Sequence, residues 1–313
     1  MNRIKTILFG TSPTVDTIKP MLRKSKKYKI IGDYKSPNEN KETAADVDLI
    51  VVTSDLFYND EDAMENIENR YLIHGCLLKT DFYMYEKIFN RVPLEGLKDF
   101  NWIIRRVSHR NESYNMDIIK RAFDIVVSSC MILVLLLPML ITWLLIKAID
   151  GFDPIFTQAR IGKNAEVIHI YKFRTMTPNT EDVTRLGAIL RRFRIDEFPQ
   201  IFNILMGDMS FVGPRPIYIM ENTHLNMHVH NHSLRTFVRP GLTGWAQLNF
   251  KAPPTYCVQD LPENMPDELV YKDAYTRLSY DLWYIENRSL LLDLKILLYT
   301  LKRAFIKDSS FKS

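Results

Sequence analysis

The sequence predicts two parts of different fold class, an α/β domain at the amino terminus and a membrane-attached α+β domain after it. Three observations predict this organisation. β-branched runs alternate with a helical pattern before residue 105, an uncharged stretch at 125–146 is long enough to enter a bilayer, and strand-like runs precede amphipathic segments after it. We therefore expect the chain to divide into 1–104, 105–117, 118–150 and 151–313.

Residues 1–104 predict a small parallel sheet with a Rossmann-like arrangement of helices. Its strand-like runs are IKTILFG, YKIIGDY and DLIVVTS, and a helical pattern separates the first two. The first turn reads GTSP instead of GxGxxG, so the dinucleotide-binding fingerprint is absent. Asp33 lies near the position of a ribose-binding acid, but one acid without the glycines is a weak signal for a nucleotide. The polar segment 105–117 predicts a linker.

The segment 118–150 predicts a helix that enters the membrane. Residues 125–146 carry no charge, and a straight helix of that length would cross the hydrocarbon of a bilayer. Pro138 lies inside it and predicts a sharp kink. Lys120 and Lys147 make both flanks basic, which suits two ends on the cytoplasmic side. We favour a re-entrant helix-break-helix hairpin; a single span with a tolerated proline stays open, and a buried helix of a soluble core is third.

The part after residue 150 predicts a hairpin and helices with one apolar face. The runs 154–162 and 167–176 are strand-like, and a short GKN turn separates them. In 185–194, apolar residues recur at i, i+3, i+4 and i+7 among arginines, as in a helix lying in a bilayer surface. The segment 289–307 has similar character with a few charges. The sequence leaves open whether these two segments lie on a membrane surface or pack on their own domain.

Composition narrows the function classes. The net charge is only +4, so no large anionic partner such as nucleic acid is required. Three cysteines without a CxxC spacing indicate neither a disulfide framework nor a zinc site. GxSxG and Walker motifs are absent. The histidine-rich run HLNMHVHNH at 224–232 has no acidic or cysteine partner nearby, so it predicts a solvated segment and not a metal site.

The adjacent acids Asp196 and Glu197 are the strongest candidates for chemistry. Pro199 follows them and marks a helix start, where carboxylates are stabilised in their ionised form and can face one site. Rigid or turn-rich segments nearby supply cations that match phosphate oxygens. These cations are Lys172 and Arg174 in YKFRTM, Arg215 in GDMSFVGPRP and Arg239 in RPGLTGWAQLNF. Carboxylates, Mg²⁺ and cations together are what phosphoryl transfer needs.

The chain from 117 to 306 resembles the bacterial sugar transferases, the monotopic polyprenyl-phosphate phosphoglycosyl transferases. Six motifs in the family's order carry the resemblance: KRAFDIVVSS, PIFTQARIG, YKFRTM, RIDEFPQIFNILMGDMSFVGPRP, RPGLTGWAQLNF and YDLWYIENRSLLLDLKIL. Residues 1–100 look similar to the domain that precedes the catalytic part in larger members. Those members also carry amino-terminal transmembrane helices, which we do not expect in this chain.

The resemblance implies transfer of a sugar-1-phosphate from a UDP-sugar to undecaprenyl phosphate, with release of UMP, as the first step of exopolysaccharide, capsule or O-antigen assembly. It implies a phosphosugar intermediate on Asp196 and Mg²⁺ at Glu197. The phosphate-binding cations implied are Lys172, Arg194 and Arg215. The expected location is the cytoplasmic face of the bacterial inner (plasma) membrane, with the chain held monotopically in the lipid bilayer.

Three departures accompany the resemblance. The family's Ser-Pro helix break reads Leu137-Pro138, its Gly-Pro before the hairpin reads Asp153-Pro154, and Arg194 replaces the usual Ser or Thr cap before the acids. A catalytically silent scaffold or regulator of polysaccharide assembly is the rival function, although the intact site residues argue against it. A homo-oligomer and a ligand-sensing role for residues 1–100 are left open, as is the identity of the sugar.

Overall fold

The computed structural model describes residues 3–40, 42–94, 104, 106, 114–178, 182–250 and 267–305. The chain divides into two compact units, Met1–Phe100 and Asn101–Ser313. Most of the segment 105–117, expected to be a linker, lies outside the described residues, and its last part is already helical from Tyr114.

The first unit is a parallel α/β sheet, as the alternating pattern predicts. The strands lie in the order β2-β1-β3-β4, and every pair is parallel. Alternate strand residues face two cores, one against α2 and α3 and the other against α1 and α4. The elements are β1 (Ile4–Phe9), α1 (Pro13–Lys24), β2 (Tyr28–Tyr34), β3 (Leu49–Val52), α2 (Ser54–Asn59), α3 (Glu61–Arg70), β4 (Leu77–Thr80) and α4 (Asp81–Phe89).

A buried carboxylate occupies the edge of this sheet where α/β proteins hold ligands. Asp81 accepts hydrogen bonds from Ser54 N at 2.9 Å and Oγ at 2.7 Å, from Phe82 N at 2.9 Å and from Ser12 Oγ at 2.7 Å. It thereby ties together the starts of α1, α2 and α4. A carboxylate in this place repels the phosphate of a nucleotide. Asp33, the weak ribose-binding candidate, is ion-paired with Lys19.

The second unit combines one long apolar helix with two small sheets and shorter helices. The predicted hairpin is present, because β5 and β6 form an antiparallel sheet. Strands β7 and β8 form a second, parallel sheet. The elements are α5 (Tyr114–Leu145), continued by a π-helical turn (Ile146–Asp150), β5 (Ile155–Ile161), β6 (Val167–Phe173), α6 (Arg185–Arg192), α7 (Gln200–Met206), β7 (Ser210–Val212), α8 (Ile219–His228), β8 (Gly241–Thr243), α9 (Trp245–Asn249), α10 (Asp267–Asn287) and α11 (Leu290–Phe305).

Helix α5, with its π-helical turn, is long and apolar enough to cross a membrane, judged by length and composition. Its polar first turns bind the rest of the unit, because Lys120 pairs with Asp293 and Asp124 accepts from Ser210 Oγ at 3.1 Å. The helix continues through Pro138, and Thr142 Oγ1 donates to the Pro138 carbonyl at 2.8 Å. The re-entrant hairpin, in which the chain would turn back within the membrane at Pro138, stays a prediction.

One face of α5 packs on its own unit along the length of the helix, and the other is exposed. The buried residues Asp124, Ser128, Met139, Thr142 and Ile146 lie on this face at helical spacing, and Met139 and Ile146 share a core with Phe173 and Leu190. The exposed face is apolar, which water would not favour. Its residues include Leu133, Val134, Leu136, Leu137, Leu140, Ile141 and Leu144.

The two predicted amphipathic segments are helices that are both packed and exposed. In α6, Leu190 is buried, whereas Ile189 and the following Phe193 are exposed. In α11, Ile296 is buried, whereas Leu291 is exposed. Each helix therefore uses part of its apolar surface for the core of the unit and leaves the remainder uncovered, among the residues that the structure describes.

Candidate active site

The two adjacent acids lie in a 3-10 turn, Ile195–Glu197, between α6 and α7. Arg194 precedes it with a φ of 57°, a left-handed conformation that costs energy outside glycine. Phe198 is helical, so Pro199 acts as a first-turn residue of α7. The two carboxyls lie near enough to interact, because the charge of Glu197 helps to raise the pKa of Asp196.

Glu197 faces two cations. Its Oε1 lies 3.9 Å from Lys172 Nζ and 3.4 Å from Arg194 Nη1. The Arg194 side chain is mostly exposed, so its contribution is screened by water. Lys172 is less exposed than Arg194, and burial lowers its pKa, a trend that Glu197 opposes.

Asp196 is half-buried, and its Oδ1 atom is buried with no hydrogen-bond partner among the residues that the structure describes. Burial and the neighbouring Glu197 raise the pKa of the Asp196 carboxyl, and these effects outweigh Lys172 and Arg194. The sequence predicted that the helix start stabilises the ionised form, and burial and Glu197 act against that stabilisation. An unpartnered buried oxygen is costly, and such groups concentrate at functional sites.

Asn203, which the sequence reasoning missed, places Lys172 beside this turn. This fully buried residue of α7 accepts from Tyr171 N at 3.0 Å and donates from Nδ2 to His169 O at 2.7 Å. It thus pairs with the backbone of β6 in the manner of a neighbouring strand. A polar residue inside the apolar run IFNILM was the available signal, but its partner is distant in sequence.

Arg215 lies in the loop between β7 and α8, with a proline on each side. Its side chain is exposed, and its charge helps to lower the pKa of Lys172. Lys172, Arg194 and Arg215 are therefore the candidates that the structure associates with the acid pair.

Two other candidates are used elsewhere. Arg174 donates from Nε to Asp153 O at 2.9 Å, at the start of β5. Arg239 donates from Nε to Gly207 O at 2.7 Å, at the carboxyl end of α7. Arg121 joins it there, with 2.6 Å contacts to two carbonyls of α7, and cations at this end of a helix are favourable.

The acid pair fits a hard divalent cation such as Mg²⁺. Mg²⁺ binds through one or two carboxylates and completes its shell with waters and substrate phosphates. Glu197 supplies such a carboxylate, and it lies next to Asp196, whose Oδ1 atom has no hydrogen-bond partner among the described residues. Within the described residues, no group of three His, Cys, Asp or Glu side chains is placed to hold a metal.

The histidine-rich run is a packing element within the described part of the chain. The ring of His228 stacks on Tyr271 at a centroid distance of 4.9 Å, and His224 lies beside both. His232 is buried, so the expectation of a solvated segment is wrong at this position.

Comparison with known proteins identifies the family. The bacterial sugar transferase family matches residues 115–307, which include α5 and the acid turn. The chain belongs to the bacterial sugar transferases. Its second unit is the part that carries this membership, and the site described above lies within that unit.

Several similar sugar transferases are known from other bacteria. The UDP-glucose:undecaprenyl-phosphate glucose-1-phosphate transferase of Klebsiella pneumoniae is 35% identical over 207 residues, covering 62% of this chain and 42% of that protein. The UDP-N-acetylgalactosamine-undecaprenyl-phosphate N-acetylgalactosaminephosphotransferase of Aeromonas hydrophila is 35% identical over 196 residues, covering 59% and 43%. This sugar transferase therefore spans less than half the length of these two relatives. The exopolysaccharide production protein PSS of Rhizobium leguminosarum is 36% identical to this chain. The match covers 98% of that protein and 62% of this chain.

Proposed function

We propose that this sugar transferase moves a sugar-1-phosphate from a UDP-sugar to undecaprenyl phosphate and releases UMP. The observation that carries the proposal is the unpartnered, buried Asp196 Oδ1 in a turn flanked by Lys172 and Glu197. Family membership supports the reaction class, and the names of the relatives supply the substrates. Because the named sugars differ between relatives, the sugar is the open part of the proposal.

The chemistry needs a nucleophile and cations at one phosphorus atom. In the first step, an oxygen of the Asp196 carboxylate forms a bond to the β-phosphorus of the donor, the bond to the bridging oxygen breaks, and UMP leaves with that oxygen. In the second step, a phosphate oxygen of the lipid attacks the same phosphorus. The bond to Asp196 breaks, so the carboxylate is regenerated and the sugar is linked to the lipid by a diphosphate.

The neighbouring side chains supply charge and position. Lys172, Arg215 and Arg194 neutralise phosphate oxygens, as a loose phosphoryl-transfer transition state requires. Glu197 would hold Mg²⁺, which would neutralise charge on the diphosphate. Glu197 also keeps Lys172 directed toward the turn through its 3.9 Å ion pair.

The lipid substrate places the reaction at the depth of the lipid headgroups. The exposed apolar face of α5 and the uncovered apolar residues of α6 and α11 support membrane attachment. We propose that the unit is monotopic on the cytoplasmic face of the inner membrane. This proposal is supported by the packing of both halves of α5, before and after Pro138, on the same unit.

The test is UMP release from a panel of UDP-sugars with undecaprenyl phosphate and Mg²⁺. We expect Asp196→Asn to lower release by about 10³-fold or more, because an amide is no nucleophile for phosphorus. The matched control is Asp182→Asn, an exposed carboxylate of the same unit, which should retain activity.

Donor carrying ³²P in its β-phosphate should label the wild-type chain at Asp196 when the lipid is absent. Full activity in Asp196→Asn would exclude the covalent intermediate, but the transfer of sugar-1-phosphate itself would still be supported. If the wild type releases no UMP with any sugar of a broad panel, a non-catalytic scaffold is the better description.

A further inference from the structure

Two buried arginines donate hydrogen bonds to the backbone of the loop that carries Arg215. Arg235 donates from Nη2 to the Arg215 carbonyl at 3.0 Å, and Arg160 donates from Nη1 to the next carbonyl, Pro216 O, at 3.3 Å. Both guanidiniums are buried, whereas the Arg215 side chain is exposed. The two consecutive carbonyls are therefore fixed from different elements, β5 and the 3-10 turn His232–Phe237.

Each of the two arginines is itself held in place. Arg160 directs Nε and Nη2 to Gln158 Oε1 at 3.1 and 2.7 Å. Arg235 Nη2 lies 2.8 Å from Asp281 Oδ2 of α10, and both side chains are almost completely buried, at 3% and 2% exposure. The loop is thus connected to α10 through the buried Arg235–Asp281 ion pair.

A buried ion pair adds little to stability, because the loss of hydration offsets most of the attraction. Its geometric effect is larger, since a guanidinium donates several hydrogen bonds in fixed directions. The prolines on either side of Arg215 restrict the backbone within the loop, but they do not fix the loop to the rest of the unit. The arginine contacts supply that attachment.

We propose that Arg235, oriented by Asp281, is a positioning residue that fixes the backbone of Arg215 so that its side chain meets the donor phosphate. This inference rests on the proposed function, in which Arg215 binds phosphate. Arg235 does not touch the substrate in this scheme; it acts through Arg215. Arg160 restrains the adjacent carbonyl, but it stacks on Tyr218, so its substitution would disturb a second contact as well.

The experiment compares wild type, Arg215→Ala, Arg235→Lys, Asp281→Asn and the double variant Arg215→Ala/Arg235→Lys. We expect Arg235→Lys and Asp281→Asn to raise KM for the UDP-sugar about tenfold, the effect of one weakened charge-assisted contact. In the double variant, Arg235→Lys should add no further loss to that of Arg215→Ala. Multiplied losses would overturn the inference, because Arg235 would then act independently of Arg215.

Hydrogen exchange of residues 213–219 gives a readout that needs no substrate. The loop should exchange faster in Arg235→Lys and Asp281→Asn. Arg288→Lys is the matched control, because Arg288 is a buried arginine that forms a similarly short 2.8 Å pair with Asp117 of α5. Unchanged loop exchange in both variants would overturn the positioning role even if activity falls. An inactive wild type would instead contradict the proposed function, and loop exchange would still decide whether Arg235 anchors the loop.

Discussion

At the scale of single residues, the acid pair combines two carboxylates with different surroundings. Asp196 has a buried oxygen without a partner, whereas Glu197 is paired with Lys172 and Arg194. A nucleophile benefits from an unshared oxygen, and a carboxylate that organises cations benefits from partners. This difference supports the separate roles that the proposed function gives to the two acids.

The raised pKa of Asp196 predicts how the first chemical step depends on pH. Below its pKa the carboxyl is protonated and cannot attack phosphorus, so the rate of labelling should fall as the pH falls. Glu197 is the second cause of the raised pKa. We therefore expect Glu197→Gln to lower the pKa and move the acid limb of the profile to lower pH, with a slower rate that recovers in part at high Mg²⁺.

The measurement is single-turnover labelling with donor and no lipid, across a pH series at saturating Mg²⁺. Glu166→Gln is the control, because Glu166 is an exposed carboxylate of the same unit. An acid limb that stays in place, or moves to higher pH in Glu197→Gln, would show that the limb does not report Asp196.

At the scale of elements, the position of the acid turn depends on how closely α6 approaches β6. Gly187 of α6 lies against the backbone that follows β6, and a Cβ atom built on it would lie 2.1 Å from Thr175 O. Arg191, one turn later, donates from Nε to Thr175 Oγ1 at 2.8 Å. These contacts with Thr175 fix the position of α6, which leads directly into the acid turn.

We expect Gly187→Ala to destabilise the unit by about 1–3 kcal/mol, because the backbone carbonyl cannot move aside like a flexible side chain. UMP release should fall as well, since α6 moves away from β6, which carries Lys172. Thermal unfolding in detergent micelles measures the first effect. The exposed neighbour Ala188→Ser is the control, and equal unfolding temperatures for the two variants would contradict the close contact.

The elements also mark what could be predicted from the sequence. Strands β1, β2 and β3 of the first unit and the β5-β6 hairpin follow from β-branched runs and turn residues. Strand β4, LLKT, is too short for its period to be detected, and the sequence reasoning missed it. The hydrogen-bond partners of Arg174 and Arg239 could not be predicted from the sequence. Both side chains are guanidiniums like that of Arg215, and only the tertiary structure shows that they bind backbone carbonyls away from the acid pair.

At the scale of the whole molecule, membrane attachment and catalysis share the second unit. The polar first turns of α5 contact residues close to the acid turn in sequence, since Arg121 donates to Ile204 O and Leu205 O. The later turns of α5 share a core with Phe173, next to Lys172. The helix proposed to anchor the unit in lipid is therefore also part of the scaffold of the site.

This packing predicts the topology of α5. If the helix crossed the bilayer, its two halves would lie at depths separated by roughly 30 Å of hydrocarbon. The one unit that contacts both would then carry exposed charges, such as Arg191 and Arg192, into the hydrocarbon, where a charged side chain is costly. We expect cysteines at Ile118 and Ile149, both exposed, to react with a membrane-impermeant maleimide from the cytoplasmic side only.

The labelling uses a background in which the three native cysteines are replaced by serine, in inverted and right-side-out vesicles. Leu137→Cys is the control, because this exposed residue next to Pro138 lies on the apolar face and should be shielded by lipid in both vesicle types. Labelling of the two flanks from opposite sides would establish a true span. The proposed hairpin would then be wrong, whereas the reaction at Asp196 would still be tested separately by its phosphosugar adduct.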